Sequence, residues 1–173
     1  MKFSRRTARQ LDRWAARYGY KDHPKDVLAT ACEARGIDAT GIAYNSNGRL
    51  RIYKRPLAAH RMHFKVPEDV NAVMGHTRMT TQGSEKLNYN NHPFYGNARV
   101  SFALAHNGVI YNVEVLRRNE NLPNTHIKTD SYIAVQLIER KSVMSFESLR
   151  YIWQNGLRVA LPSRLWTVPT TFT

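Results

Sequence analysis

Cysteine and acidic residues are the two things that this sequence has little of. The single cysteine, Cys32, excludes an internal disulfide framework and a zinc site built from cysteines. It favours a reducing compartment, of which the cytoplasm is the simplest. Asp and Glu number 13 against 26 Lys and Arg, which gives a net charge of +13. No apolar run is long enough for a transmembrane helix, so we expect no membrane partner.

The excess of positive charge is concentrated at the start of the sequence. Residues 1–21 hold seven Lys and Arg side chains against the single Asp12. Residues 4–18 repeat apolar side chains at three- and four-residue spacing, which predicts an amphipathic helix with an arginine face. This arm either binds nucleic acid or an acidic surface, or is a solvated surface helix, or is translated sequence outside the domain. We favour the last two interpretations and treat residues 1–20 as a basic N-terminal arm.

The centre of the chain is typical of one globular domain, with 42% hydrophobic residues overall. Residues 42–44 and 50–54 flank an Asn-Gly turn and predict a β-hairpin. Two further strands are predicted at 71–76 and 100–106, and a helix begins at Thr129. Because strands and helices do not alternate regularly, we expect an α+β fold rather than a doubly wound sheet.

The most informative stretch follows the strand at 71–76 and changes to hydroxyl groups, one arginine and a glycine. Arg78 offers a planar five-donor fork that suits two-point binding of a carboxylate. Thr81 adds a short hydroxyl, and Gly83 permits a turn that other residues resist. We interpret this stretch as a strand end that opens into a binding loop.

Three other places carry candidate chemistry, and each has a plain alternative. Asn107 and Gly108 could form an oxyanion hole, or they could simply be a type I′ turn. Asp130 could cap the helix that follows, which is the more common role, or it could bind a substrate ammonium. Cys32 lies on an alanine-rich helix predicted near 24–34, where a cysteine is usually a small buried hydrophobe.

Taken together, the motifs resemble the glutaminase domain of class II glutamine amidotransferases, in the N-terminal-nucleophile hydrolase superfamily. The resemblance covers residues 25–150, and the family patterns occur in the expected order. The segments that carry it are Arg35–Ala43, Gly75–Gly83, Asn91–Pro93, Ala105–Asn112 and Thr129–Ser131.

The resemblance implies a four-layer αββα sandwich with two antiparallel sheets. It also implies hydrolysis of L-glutamine to glutamate and ammonia, without a metal or an organic cofactor. Arg78 would bind the α-carboxylate of glutamine, Asp130 its α-ammonium, and Thr81 would line the pocket. Asn107 and Gly108 would form the oxyanion hole. The ammonia acceptor would be set by a synthase domain or subunit that this chain does not contain.

The sequence departs from the family at the nucleophile. The family uses an N-terminal cysteine, exposed after removal of Met, whereas this sequence begins with Met1, Lys2 and Phe3. The nearest likeness to the family's first strand is the segment 15–20, with Ala15 in the place of the cysteine. The chain as written is therefore not expected to hydrolyse glutamine. Met79 and Gln82 replace the family's usual Trp and His.

The tail, residues 151–173, also departs from the family, which continues with a Gly-Ser-Phe-x-Phe strand. When residues 157–167 are back-translated and read from the third base of each codon, the degenerate codons permit the sequence of such a strand. We hypothesise that the tail is out of frame and that the arm is a comparable start-site artefact. The family domain would then be residues 21–150, incomplete at both ends. The alternative is a non-catalytic protein that uses the pocket for glutamine or the basic arm for nucleic acid.

Overall fold

The computed structural model describes residues 29–67, 70, 72–142, 145 and 150–158, together with the backbone of 164–169. The basic arm and its predicted helix lie outside the described residues. The described strands are β1 (Ala39–Ser46), β2 (Arg49–Arg55), β3 (Val73–Arg78), β4 (Phe94–Asn97), β5 (Ser101–Asn107) and β6 (Arg164–Pro169). Two α-helices are described over their full length, α1 (Val113–Asn119) and α2 (Tyr132–Lys141). Short 3-10 helices occupy Cys32–Arg35, Ala59–Arg61 and Asn88–Asn90, and a π-helical turn occupies Ile152–Gly156.

The first sheet has the order β2-β1-β3, with both pairs antiparallel. Asn47 and Gly48 connect β1 to β2 and both have positive φ, at 51° and 70°. This backbone is the one that a two-residue hairpin turn requires, and Asn-Gly adopts it readily. The predicted hairpin is thus confirmed, and β3 runs two residues beyond its predicted end, as far as Arg78.

The second sheet has the order β4-β5-β6, again antiparallel. Its central strand β5 is buried on both faces, which explains the uninterrupted apolar run in the sequence. The third strand β6 comes from the tail, and its backbone pairs with β5 from Phe102↔Pro169 to Asn107↔Arg164. The tail therefore adds a strand to the fold, while the reading-frame hypothesis stays a prediction.

Alternation of side chains along the strands separates the layers. Small residues fill the space between the two sheets, where Ala43 and Met74 of the first sheet meet Ala103 and Ala105 of the second. The other face of β5 packs Phe102 and Leu104 against α1, α2 and the tail residues Ile152 and Leu157. Each fully buried side chain of this size stabilises the fold by roughly 1.5–3 kcal/mol.

The outer face of the first sheet carries a third cluster, which brings Ile42 of β1 together with Met62 and Phe64. The order of layers is thus an outer cover, two antiparallel sheets and a helical layer. This arrangement confirms the α+β expectation. No helix within the described ranges is both long and apolar enough to cross a bilayer.

Candidate functional site

Three separate segments of the sequence meet at one end of the two sheets: the end of β3, the end of β5 and residues 129–131. His76 Nε2 of β3 donates to the backbone oxygen of His106 in β5 at 3.1 Å. Arg78 Nη2 lies 3.3 Å from Thr129 Oγ1. Strand alternation turns Arg78 and Asn107 toward the space between the sheets, because Met74 and Ala105 on the same strands face that space.

Arg78 is almost fully buried, at 3% exposed, and most of its donors are used within the protein. Nη1 donates to Asn91 Oδ1 at 2.6 Å. Nη2 donates to the backbone oxygens of Gln82 and, at 2.9 Å, Gly83. The guanidinium therefore holds the loop that follows it. These hydrogen bonds leave the Nε–H and one Nη1–H of Arg78 without an acceptor in the described part of the chain.

The electrostatic surroundings of Arg78 are mixed. Burial lowers the pKa of Arg78 below its usual value, while the carboxylates of Glu85, Asp130 and Asp38 act in the opposite direction. A guanidinium stays protonated under such a shift, because its ordinary pKa is above about 12. Arg78 thus offers a permanent positive charge whose own side chain is largely shielded from water. Electrostatic attraction to an anion is stronger there than in bulk water.

The loop after Arg78 is braced from the opposite side by the segment that precedes β1. The backbone N–H of Thr80 donates to Asp38 Oδ2 at 2.7 Å. A Cβ atom on Gly36 would lie 2.1 Å from the backbone N of Met79, so this position has room only for glycine. Met79 itself is 64% exposed and Thr81 is exposed. The loop is thus fixed at its base and open to solvent at its tip.

Asn107 and Gly108 lie where β5 ends. The Asn107 side chain is partly exposed and has no hydrogen-bond partner among the described residues. Gly108 has a φ of 152°, in the region that favours glycine. A free amide beside a glycine N–H is compatible with an oxyanion hole. The alternative of a type I′ turn is not what the backbone shows, since such a turn needs positive φ at both residues and Asn107 does not have it.

Asp130 does not act as a helix cap in this structure. No side-chain cap is present at the start of α2, whose first residue is Tyr132. Asp130 Oδ2 instead accepts a hydrogen bond from the backbone N–H of Ile110 at 2.6 Å, and Oδ1 lies 3.4 Å from Ser131 Oγ. The buried carboxylate thereby ties the beginning of α2 to the chain immediately after Gly108.

Three histidines form a group behind these residues, in which His92 and His106 are buried and His76 is partly buried. The ring centroids of His76 and His92 are 4.3 Å apart, and His106 Nδ1 lies 3.0 Å from Ser131 Oγ. Burial lowers the pKa of His76 to about 4 and that of His92 well below its usual value. The pKa of His106 is also lowered by burial, against the attraction of Asp130. These imidazoles are neutral near pH 7.

Cys32 is partly exposed rather than a buried hydrophobe, and it begins a 3-10 turn that directly follows the α-helical residues 29–31 of the predicted helix. Its backbone oxygen accepts a hydrogen bond from Thr77 Oγ1 at 2.7 Å. Because Thr77 and Arg78 are consecutive in β3, their side chains point to opposite faces of the sheet. Cys32 is therefore on the outer face, away from the group around Arg78.

The sequence interpretation missed the residues that hold Arg78 in place. Asn90 and Asn91 are fully buried, and Thr129 Oγ1 donates to the backbone oxygen of Asn90 at 2.6 Å. Asn91 Nδ2 donates to the backbone oxygen of Glu85 at 2.7 Å. The sequence did contain an indication of these residues, because the Asn91–Pro93 segment is part of the family pattern, but the pattern alone did not predict that Asn91 holds Arg78.

The arrangement can bind a zwitterion with an anionic and a cationic end. Arg78 supplies positive charge, Asp130 supplies negative charge, and Asn107 with Gly108 supplies neutral donors between β5 and α2. Among the described residues, no group of three His, Cys, Asp or Glu side chains is placed to hold a metal ion.

Sequence comparison finds relatives named glutamine–fructose-6-phosphate aminotransferase (isomerizing). The protein of Bacteroides thetaiotaomicron is 36% identical over 117 residues, which are 64% of this chain and 19% of the relative. That of Geobacillus kaustophilus is 34% identical over 129 residues, which are 70% of this chain and 21% of the relative. The chain thus spans about a fifth of the length of the curated relatives it matches. No protein-family model matches it.

Structural comparison finds the glutamine phosphoribosylpyrophosphate amidotransferase from B. subtilis, complexed with ADP and GMP. It superposes with a TM-score of 0.65 at 19% identity, covering 87% of this chain and 33% of that one. A second structure, described as the allosteric regulatory enzyme of purine biosynthesis, also gives 0.65 at 19% identity and covers 86% of this chain. At this level of identity the likeness shows the fold alone.

Proposed function

The chain carries a domain of the class II glutamine amidotransferase family, with the N-terminal-nucleophile hydrolase fold, and from this premise we propose that it binds L-glutamine. The observation that carries the proposal is the meeting of Arg78, Asp130 and the Asn107–Gly108 pair at one end of the sheets. These residues come from three distant segments, and each corresponds to a motif that the sequence shares with the family.

Each residue has a role that suits its surroundings. Arg78 binds the α-carboxylate of glutamine, since its buried guanidinium is a permanent cation. Asp130 binds the α-ammonium, and Thr81 lines the pocket from the exposed tip of the loop. Asn107 and Gly108 donate to the oxygen of the side-chain amide, where negative charge develops during hydrolysis.

We propose further that this chain binds glutamine without hydrolysing it. Cleavage of the amide needs a nucleophile beside the oxyanion hole, and in the family this is an N-terminal cysteine whose α-amine acts as the base. Cys32 is the only cysteine of the sequence and lies on the outer face of the first sheet, which supports the proposal. Hydrolysis to glutamate and ammonia is expected once a Met-Cys-Gly start is restored at the proper position.

Isothermal titration calorimetry of the full chain with L-glutamine tests the binding. We expect saturable binding of L-glutamine, little binding of D-glutamine because its two charged groups are reversed about the α-carbon, and no release of glutamate. Arg78→Met removes the carboxylate-binding cation and is expected to abolish binding. Arg51→Met, on the exposed face of β2, is the control.

Circular dichroism establishes that each variant is folded before its affinity is compared. A folded wild-type chain that gives no heat with millimolar L-glutamine contradicts the proposal. Equal affinity in a folded Arg78→Met variant contradicts it as well. Release of glutamate by the chain as written overturns only the second part, the absence of hydrolysis.

An ammonia-accepting synthase domain or subunit is the partner that we propose for a glutamine-hydrolysing form of this domain. The support is that the matched relatives are several times longer than the segment they share with this chain. We propose residues 21–150 as the bounds of the domain, and the cytoplasm as its location because the sequence has one cysteine.

A second candidate function is nucleic-acid binding by the basic arm, favoured by the seven basic side chains in residues 1–21. A phosphate-binding arm makes affinity fall steeply with salt, by about 0.7–0.9 log units per contact for each tenfold rise in salt. Filter binding to single- and double-stranded oligonucleotides distinguishes this candidate function from glutamine binding. The salt concentration is varied about sixfold, from roughly 50 to 300 mM. Salt-dependent binding that is lost on deleting residues 1–20 supports this second function, and its absence excludes it.

A further inference from the structure

Lys54 of β2 is a partly buried cation that none of the roles above uses. Alternation along β2 leaves Arg51, Tyr53 and Arg55 exposed, while Lys54 turns toward the space between the sheets. Its Nζ donates to the backbone oxygens of Asn91 at 2.6 Å and Pro93 at 3.0 Å. Within the described residues, no ion pair joins Lys54 to a carboxylate.

Burying an ammonium is costly unless its donors are satisfied. In this structure the compensation comes from the two carbonyl oxygens and from the face of the Phe94 ring, whose centroid is 5.1 Å from Nζ. All three belong to one short segment, residues 91–94. The ammonium therefore acts on that segment as a fixed clamp.

The clamped segment also holds Arg78. Asn91 Oδ1 accepts from Arg78 Nη1 at 2.6 Å, and Asn91 Nδ2 donates to the backbone oxygen of Glu85 at 2.7 Å. Asn91 is thus bound through its backbone to Lys54 and through its side chain to Arg78 and the loop after Arg78. Two hydrogen bonds in series connect the ammonium to the guanidinium.

The position of the segment depends on β1 as well. A Cβ atom on Gly41 would lie 2.2 Å from the backbone oxygen of His92 and 2.8 Å from the Cβ of Lys54. Since Gly41 and Lys54 are paired in the ladder, the absent side chain lets the segment rest on β1 within reach of the ammonium.

We propose that Lys54 is a positioning residue for glutamine, which fixes the Asn91 backbone and thereby the orientation in which Arg78 presents its guanidinium to the carboxylate. This inference rests on the proposed function, because it requires that Arg78 receives the carboxylate. Lys54 does not touch the substrate.

A pH dependence follows from the surroundings of Lys54. Burial, and secondarily the charge of Arg78, lower the pKa of Lys54 to about 8. Arg78 stays charged, while His76 and His92 stay neutral above pH 7 because their pKa values are lowered. Exposed Arg55, the neighbour on β2, is also permanently charged. Among Lys54, Arg55, Arg78, His76 and His92, the group that loses its charge between pH 7 and 9 is therefore Lys54. Its hydrogen bonds to the carbonyl oxygens of Asn91 and Pro93 then weaken.

The test compares the affinity of the full chain for L-glutamine in Lys54→Met, Lys54→Arg and the control Arg51→Met, by calorimetry from pH 7 to about 9.5. At pH 7 we expect Lys54→Met to bind about tenfold more weakly, the equivalent of one net charge-assisted hydrogen bond. Arg51→Met is expected to equal the wild type, and Lys54→Arg to retain part of the affinity.

The pH profile supplies the readout that a merely structural lysine would not change. Deprotonation of the α-ammonium of glutamine weakens binding in every variant. The wild type is expected to lose a further severalfold between pH 7 and 9 relative to Lys54→Arg, whose guanidinium does not titrate.

A folded Lys54→Met variant with wild-type affinity overturns the inference. Parallel pH profiles of the wild type and Lys54→Arg overturn it too, and this comparison decides the matter if Lys54→Met does not fold. Failure of the proposed function looks different: the wild type then does not bind glutamine, or binds it independently of Arg78.

Discussion

Replacing Gly41 by alanine tests how closely residues 91–93 pack on the first sheet. The added Cβ would lie 2.2 Å from the backbone oxygen of His92, 2.8 Å from Pro93 Cδ and 2.8 Å from Lys54 Cβ. Carbon contacts are most favourable at about 3.5–4.0 Å, so the neighbours must move by about 1 Å. None of the three is the free end of a flexible side chain. We expect destabilisation at or above the upper end of the usual 1–3 kcal/mol for overpacking, thus about 3 kcal/mol.

Gly75→Ala is the matched control, because Gly75 lies in the neighbouring strand β3 and nothing is within 4 Å of the Cβ it would gain. Alanine should stabilise a strand by roughly 0.5–1 kcal/mol relative to glycine. Urea unfolding followed by circular dichroism measures both variants against the wild type. If Gly41→Ala is as stable as Gly75→Ala, residues 91–93 do not rest on β1, and the path from Lys54 to Arg78 is wrong.

Three further predictions concern the site. The free energy of unfolding should fall by up to about 3 kcal/mol between pH 6.5 and 4, because the unfolded chain binds a proton at His76 that the folded chain does not bind until its pKa of about 4 is reached. In urea unfolding, His76→Gln should reduce this dependence of stability on pH. A wild-type stability that is unchanged at pH 5 contradicts the prediction. Asn107→Ala, in a chain with a restored N-terminal cysteine, should lower kcat about 10²–10³-fold at nearly constant glutamine affinity, and a loss in affinity alone would refute the oxyanion role. Asp130→Asn should weaken glutamine binding and also cost about 1.5–3 kcal/mol of stability, since the N–H of Ile110 loses a charged acceptor. A variant with wild-type affinity and wild-type stability excludes the role of Asp130 as the ammonium-binding group.

Features with a local cause were predictable from the sequence. The Asn47–Gly48 turn is specified by residues that tolerate positive φ, and β5 by an apolar run that ends at Asn107. The family motifs then indicated which strand ends belong together. The meeting of β3, β5 and residues 129–131 agrees with that expectation.

Contacts between distant side chains were not predictable in the same way. Lys54 and Asn91 are separated by 37 positions, and nothing in a strand pattern says that one inward-facing lysine reaches two carbonyl oxygens. From its place at the start of a helix, Asp130 was predicted to cap the helix or to bind a substrate ammonium. In the structure it accepts a hydrogen bond from the backbone N–H of Ile110, 20 positions earlier. The hydrogen-bond partners of charged groups between the layers are set by the tertiary structure, because those partners must compensate for the loss of water around the charge.

The pairing of β5 with β6 has a consequence for the order in which the molecule assembles. Asn107 is opposite Arg164, so the ladder closes a loop of about 60 residues, whose entropy must be lost before the strands make any contact. The hairpin of β1 and β2 and the pair of β4 and β5 need only short loops and can form soon after synthesis. Until residues 164–169 arrive, one edge of β5 lacks this partner and can pair with another chain. The edge that bears Asn107 thus stays open to a ribosome-bound chaperone, or to a second nascent chain, until the tail has been synthesised.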